Sequence, residues 1–553
     1  MKSVLLPPAP PSPRKLFRHF YCRKCVKITR EGFFCKQMRF CTLYSVIKYI
    51  DSGGLLVYNF DNTKHTEVTF PMKKHISLLI LASIILSAVS CGGDVSDDIV
   101  QNDTSSTADS TSAAQGTATR IDELGSHDFG GETFTILDAN NMPTIHQNIP
   151  DDTMKGDMIN DKLAERNKQI EELYNIRFIY DQRTDGGSNL FRSSVMAGDN
   201  AYDMIISVIN SSVGTLANDG LLADLCSLDA LSLDKEWWSP LIYENLKIDG
   251  KMYYTSGDIS PAIYCAPACY FVNKKLATDY NINIDDLYAS VENGTWTLDK
   301  LFSTAGNLSS DLNGDDRLKI DDDFFGILNG KDNLTAAVFA VGAGVRFTEP
   351  DENGDLICDL GSPRTADVIS KLKSTIGASG VQSDGTQQHE AFKNDRAIFF
   401  MHYTSSAYTR YRDMESDFMI LPLPKYDESQ SSYYSYVNTW ANAFIGLPKN
   451  GKNDRAAIIL ESMAYLSHEN LRPLVYDMAF KNKGARNEKD AEMLDVIFDT
   501  LTLDFNFAEN FGGSLDALKK VIFGKSEFAS EWAGIKDKTN EAISTFSDSW
   551  KNN

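Results

Sequence analysis

The chain has 553 residues, with 54 Lys and Arg against 76 Asp and Glu, for a formal net charge of −22. The first ninety residues are basic (14 Lys/Arg, 4 Asp/Glu), so the remainder carries about −32. That balance excludes nucleic acid and anionic lipid headgroups as partners of the main body, because both are bound through Lys and Arg. After Cys91 the thiols are Cys226, Cys265, Cys269 and Cys358, too few for a disulfide framework in so long a chain, and buried free thiols are expected.

Residues 1–71 carry PPAPPSP, a basic segment from Arg14 to Arg39, and Cys22, Cys25, Cys35 and Cys41. They read as a non-native or unstructured extension, because a signal segment begins only at Met72. Lys73 and Lys74 form its charged start, Ile76 to Val89 an apolar run of about fourteen residues, and Ala88 and Ser90 the small residues of a cleavage site. The run is too short to span a bilayer, which takes roughly 20 apolar residues. Its ending, Ala88-Val89-Ser90-Cys91, resembles a bacterial lipoprotein signal, which implies cleavage before Cys91 and lipidation of that cysteine. It departs from the family pattern at Ala88, where Leu is usual.

Residues 91–122 are rich in Ser, Thr, Asp and Ala and have little to bury, so they are expected to form a disordered tether. A body of about 430 residues follows, enough for two domains. ETFTIL (132–137) reads as a buried strand. The next segment reads as a helix with Ile159, Leu163, Ile170 and Leu173 on one face. IRFIY (176–180) and YDMIISV (202–208) are further strands, the last apolar nearly throughout, as parallel strands are. The alternation continues through GKMYYTSGD, YFVNKKLATDYNI, TWTLDKLFSTAGNL with Thr297 as N-cap, HEAFKNDRAIFFM, DFMILPLPKY and NAFIGLPKN. NDRAAIILESMAYLS reads as an Asn/Asp-capped amphipathic helix through Ile459, Met463 and Leu466, and the C-terminus is mostly helical.

GDNAYDMII, LANDGLLADL, GKMYYTSGD, YFVNKKL, GTWTLDKL, AFKNDRAIFF and DFMILPLPKYDESQ, in that order and spacing, resemble the extracellular solute-binding proteins of bacterial ABC importers, the carbohydrate-binding type related to maltose-binding protein. The resemblance covers most of Gly131 to Asp504. It implies an α/β, two-lobed periplasmic-binding-protein-like fold of type II, with a hinge and an inter-lobe cleft. Lobe 1 would hold about 130–258 and 440–485, lobe 2 about 262–435 and 486–553, with crossings near Thr255–Tyr264 and Tyr436–Asn442. The implied function is capture of a carbohydrate, in particular an oligosaccharide, by a monomer that delivers it to ABC permease subunits from a lipid anchor outside the cell membrane.

Sugar sites pair aromatic faces with polar side chains. Where the resemblance places cleft loops, the ligand-binding candidates are Trp440, Asn438, Tyr403, Tyr254, Asp258, Tyr264 and Asn210; Trp237, Trp238 and Trp296 read as packing. No cofactor is expected: zinc at Cys22-x-x-Cys25 with Cys35 and Cys41 is disfavoured by the spacing of the second pair, and a structural calcium is the candidate to test, since Asp311, Asn313, Asp315, Arg317 and Asp322 occupy positions 1, 3, 5, 7 and 12 of a calcium loop. Against it, position 6 is Asp316 rather than Gly, and position 12 is Asp rather than Glu. The similar letters of PDENGDLICDL read as a hairpin around Asn353-Gly354. No G-x-S-x-G, H-E-x-x-H, P-loop or G-x-G-x-x-G is present, so an enzyme is not expected. The alternatives are a surface lipoprotein for sensing or adhesion and a surface glycoside hydrolase, the latter separable by turnover.

Overall fold

In the computed structural model the described residues are the strands between Cys25 and Pro71, and residues 119–139, 148–184, 187–379, 385–474 and 488–553. The chain divides into two units, Met1–Ala113 and Ala114–Asn553. In the first, β1 (Cys25–Thr29) and β2 (Gly32–Cys35) form a hairpin, and β3 (Val46–Ile50), β4 (Gly54–Asp61) and β5 (Lys64–Pro71) an antiparallel meander. Strands thus occupy part of the segment expected to be unstructured; its Val, Ile, Tyr and Phe content suits a pleated sheet. The signal segment, Cys91 and most of the tether lie outside the described residues.

In the second unit the described residues begin at Thr119. Its side chain accepts from Asp122 N while Asp122 answers with the Thr119 amide, a capping box that starts helix α1 (Arg120–Leu124). Strand β6 (Glu132–Asp138) is flanked in parallel by β7 (Ile176–Gln182) and β8 (Met204–Ser207). A later strand, Phe444–Gly446, adds antiparallel beyond β8, and Thr255 bridges to Ile445 beyond that.

Helix α2 (Met158–Tyr174) joins β6 to β7 and is capped by Asp157, whose carboxylate accepts from Ile159 N and Asn160 N. Its inner face is Leu163, Arg166, Asn167, Ile170 and Tyr174, whereas Leu173 is exposed and Ile159 half-buried. The expected stripe is therefore rotated. Polar residues, Asn160, Arg166 and Asn167, hold three of its inward positions, and Arg166 is fully served: Nη1 donates to Ile259 O at 2.7 Å and Ser467 Oγ at 2.8 Å, and Nε to Asn167 Oδ1 at 2.9 Å. Burial lowers the Arg166 pKa to about 10.

The second sheet is built from β9 (Ala268–Asn273), β10 (Phe325–Leu328), β13 (Ala397–Tyr403) and β14 (Phe418–Leu421), in the order β10-β13-β9-β14. Between them β11 (Thr348–Pro350) and β12 (Leu356–Cys358) make the expected hairpin, with Gly354 at φ +80 in its turn. Strand β9 divides its side chains between two cores. Ala268, Tyr270 and Val272 enter one with the helices that cover the sheet, while Cys269 and Phe271 enter another. That second core runs back through Ala266, Tyr264, Ile263 and Ile259 of the crossing segment to Ile136 and Ile205 of the first sheet.

The remaining strands are β15 (Ser435–Tyr436), β16 (the Phe444–Gly446 strand above) and β17 (Leu501–Thr502), which pairs in parallel with β15. Helix α3 (Asn453–Asn470) follows β16 and packs on α2, burying Ile459, Met463 and Leu466 as expected. Its N-cap is Lys452, without a side-chain cap bond, because the Asn453 amide instead donates to Pro448 O. The short helix α4 (Asn506–Glu509) and the 25-residue α5 (Phe528–Asn552) complete the chain. Helix α5 does not belong to lobe 2 alone. Phe528 and Trp532 pack on the core that holds Tyr270 and Val272, while Trp550 sits in the core that runs back to the first sheet, against Tyr253 and Tyr254, its Nε1 donating to Asn218 Oδ1 at 3.0 Å.

Candidate functional site

The order β16-β8-β6-β7 places β6 at the point where one connection leaves to each side. Ligands of open α/β sheets bind outside the carboxyl ends of the strands at such a switch point. Here those ends carry Asp138 and Ser207, both buried. Asn148 Nδ2 donates to Asp138 Oδ1 at 3.3 Å, Ser260 Oγ to Asn148 Oδ1 at 2.6 Å, Ser207 Oγ to Ala139 O at 3.1 Å and Ser212 Oγ to Ser207 Oγ at 2.7 Å. Sequence reasoning missed these residues; the available signal was a carboxylate closing an apolar strand in ETFTILD.

Directly after β8 the chain makes a π-helical turn, Ile209–Val213. Asn210 is in it, 6% exposed, its Nδ2 donating at 3.4 Å to the carbonyls of Phe507 and Ala508. Two crossing segments run beside this region. One is tied to the first sheet where Thr255 and Ile445 exchange main-chain bonds of 3.1 and 2.8 Å; the crossings meet where Asn438 N donates to Ala266 O and Pro267 bridges to Val437. Gly257 is required in the first, since a Cβ there would lie 2.3 Å from Trp237 O.

Of the sequence candidates, Trp440 stands out on the second crossing, 51% exposed, its amide donating to Asn438 Oδ1 at 3.0 Å. An indole left in solvent on a hinge is available for stacking. Asn438 is buried beneath it. Tyr403 ends β13 opposite Ala268 and is half-buried near Tyr436 and Asp332. Asn210, Asn438, Tyr403 and Trp440 therefore sit on strand ends or crossings.

The other three are core residues. Tyr254 is 1% exposed and meets Phe444 and Trp550 edge-on; Tyr264 packs edge-on against Phe498 at 5.1 Å. Neither ring keeps a free face, because the crossing segment carries the hydrophobic core from one lobe to the other. Asp258 turns to α3, accepting from His468 Nδ1, with Glu236 3.6 Å from the other ring nitrogen. Trp237, Trp238 and Trp296 are buried, as expected of packing residues.

In the acidic loop Asp311 accepts from the amides of Gly314 and Asp316 at 2.7 Å each, and from that of Asn313 at 3.2 Å. Asp315 accepts from Arg317 N at 3.1 Å and pairs with Lys319, and Asn313 Nδ2 donates to Asp322 at 3.4 Å. Asp316 adopts φ 60 where Gly was expected. Among the described residues no group of three or more His, Cys, Asp or Glu is placed to hold a metal ion. Cys226, Cys265, Cys269 and Cys358 are free thiols; Cys265 and Cys269 are buried, the other two partly so. Burial pushes the Cys265 thiol up to about 12. A surface depression of about 680 Å³ lies elsewhere, lined by His389, Lys393, Tyr408, Arg410 and Arg412.

Two α/β lobes, two crossings and polar residues gathered at strand ends define the type II periplasmic-binding-protein-like fold. Among solved structures, a cyclo/maltodextrin-binding protein complexed with maltotetraose matches at TM-score 0.50 and 14% identity, over 74% of this chain and 97% of that one. A sugar transporter from Rhizobium etli in an open conformation matches at TM-score 0.50 and 12% identity, over 74% of this chain and 98% of that one. An ABC substrate-binding protein from Listeria monocytogenes in complex with cycloalternan matches at TM-score 0.47 and 14% identity, over 75% and 99%. The first two, a cyclo/maltodextrin-binding protein and a sugar transporter, share the fold of this chain. No family model and no curated protein sequence matches it. No described helix is long and apolar enough to cross a membrane.

Proposed function

We propose that the chain is the substrate-binding subunit of a bacterial ABC importer, held outside the cell membrane by a lipid on Cys91, which captures an oligosaccharide between its lobes and hands it to a permease. The observation that carries this reading is the exposed indole of Trp440 on the segment that leads into β16, whose Phe444 pairs with Ser207 at the polar end of β8. A sugar face laid on that indole, with hydroxyls bonded to Asn438, Tyr403 and Asn210, touches residues of the crossing and of both sheets. The ligand then favours the closed state by its differential affinity. The role is binding without turnover.

Thermal shift of the full-length protein against mono- and oligosaccharides is the first test. A specific ligand at 100 times its Kd should add about 2.7 kcal/mol of stability. Trp440→Ala should then weaken binding at least tenfold, about 1.4 kcal/mol; unchanged affinity removes the indole from the site. Deleting the protein should abolish uptake of that sugar, and retained uptake would leave sensing or adhesion as its role. Metabolic labelling with a fatty-acid analogue should mark the wild type and not Cys91→Ala.

A further inference from the structure

Three features coincide at the end of β8. The turn Ile209–Val213 is π-helical, a rare conformation found mostly at functional positions. Within it Asn210 Oδ1 is buried and, among the described residues, meets no donor. A buried carbonyl oxygen left without a donor is costly, so its persistence points to a donor supplied from outside the chain. Finally, α4 from the far end of the sequence closes over the turn, its Phe507 and Ala508 carbonyls receiving the Asn210 amide.

The last residue of α4 is Glu509. Its carboxylate lies over the next turn of the same segment, with Oε1 3.6 Å from where a Cβ on Gly214 would stand. Its protein partner is Asn218. The Asn218 amide is oriented by Trp550, whose Nε1 donates to Oδ1, so the Asn218 Nδ2 is the group that faces Glu509. One donor leaves most of a carboxylate's lone pairs open. Among the described residues no Lys or Arg pairs with Glu509, and burial raises its pKa above the usual carboxylate range. Among the described residues, a half-buried carboxylate without a cation, set over Gly214 one turn along from a buried amide oxygen without a donor, gives the segment two acceptors awaiting donors.

We propose that Glu509 is a ligand-binding residue which, with Asn210, accepts hydrogen bonds from adjacent hydroxyls of a neutral polyol and turns away anionic sugars. This rests on the carbohydrate reading above and adds two things: a wall of the site supplied by the C-terminal segment, and a charge preference. Hydroxyls donate to both acceptors at no electrostatic cost. A uronate or phosphate in the same place would put like charge against Glu509.

The test is calorimetric titration of the full-length protein with neutral oligosaccharides, maltotetraose among them, and with a uronate-containing oligosaccharide of matched length. For a neutral sugar that binds the wild type, Glu509→Gln and Asn210→Ala should each weaken binding at least tenfold, and the uronate should bind at least tenfold more weakly than its neutral counterpart. Melting temperature guards against misfolding, and the isosteric Glu509→Gln keeps the test open if Asn210→Ala unfolds. Wild-type affinity in Glu509→Gln, or equal affinity for the uronate, overturns the proposal while leaving the carbohydrate reading standing. Failure of every neutral sugar to bind the wild type overturns both.

Discussion

Glu461 shows what one buried carboxylate can organise. It has no solvent exposure on α3, yet its oxygens accept from Trp238 Nε1 at 2.7 Å, Trp237 Nε1 at 3.2 Å, Ser232 N at 3.1 Å and Arg120 Nε at 2.8 Å. Arg120 is in α1, so this ion pair ties that short helix to α3. Removing one member of a buried pair strands the other, and Glu461→Ala should cost about 3–5 kcal/mol, read as a loss of Tm. A second test lies at Asp258. The hydrogen bond from His468 to Asp258 raises the imidazole pKa above its usual value, with Glu236 adding to this while burial and Arg472 oppose it. A raised folded-state value means the pair stabilises fully below about pH 6.5 and is lost as pH rises through that raised value. His468→Gln should therefore cost stability at pH 6 and little at pH 9, as thermal melts across that range would show.

At the scale of elements, α5 is the piece whose role sequence patterning did not convey. Twenty-five helical residues reach about 37 Å, enough to touch both cores. Its end is fixed to the first sheet's side: Tyr253 OH donates to Trp550 O at 2.8 Å and Lys251 Nζ to Lys551 O at 2.6 Å. Trp550→Ala should cost about 3–5 kcal/mol through lost burial and the cavity left behind, a large fall in Tm for one substitution near the terminus. The same scale shows which signals were legible. Strands β6, β7, β8, β13 and β14 fall where apolar runs placed them, and Thr297 caps its helix by accepting from Lys300 N at 3.2 Å. The rotated face of α2 was illegible because Arg166 and Asn167 look like surface residues until partners from 93 and 301 positions away are in place. Tyr254 and Tyr264 misled for the converse reason. They lie beside a crossing, as ligand-stacking rings would, but the crossing is itself core.

For the molecule as a whole, the continuity of one core through the crossing limits how the lobes can move. The proposed closure would pivot on residues 255–267 and 436–443 and on the strap of α5, so X-ray scattering with a bound sugar should show a modest decrease in radius of gyration; an unchanged profile at saturating ligand would argue against closure. Chelator should leave Tm unchanged, since Asp311 and Asp315 are already served by main-chain amides and Lys319; a fall reversed by calcium would assign an ion to that loop. The amino-acid sequence determined the class of this protein by itself. Short apolar strands alternating with capped helices admit few packings other than α/β lobes, and that local chemistry is carried within a dozen residues. Tertiary structure alone decided which aromatics stay exposed and which are core, that Asp258 belongs to His468, and that Asn210 meets the carbonyls of Phe507 and Ala508 across some 300 positions. Those outcomes depend on burial and on partners distant in the chain, and no local pattern encodes either.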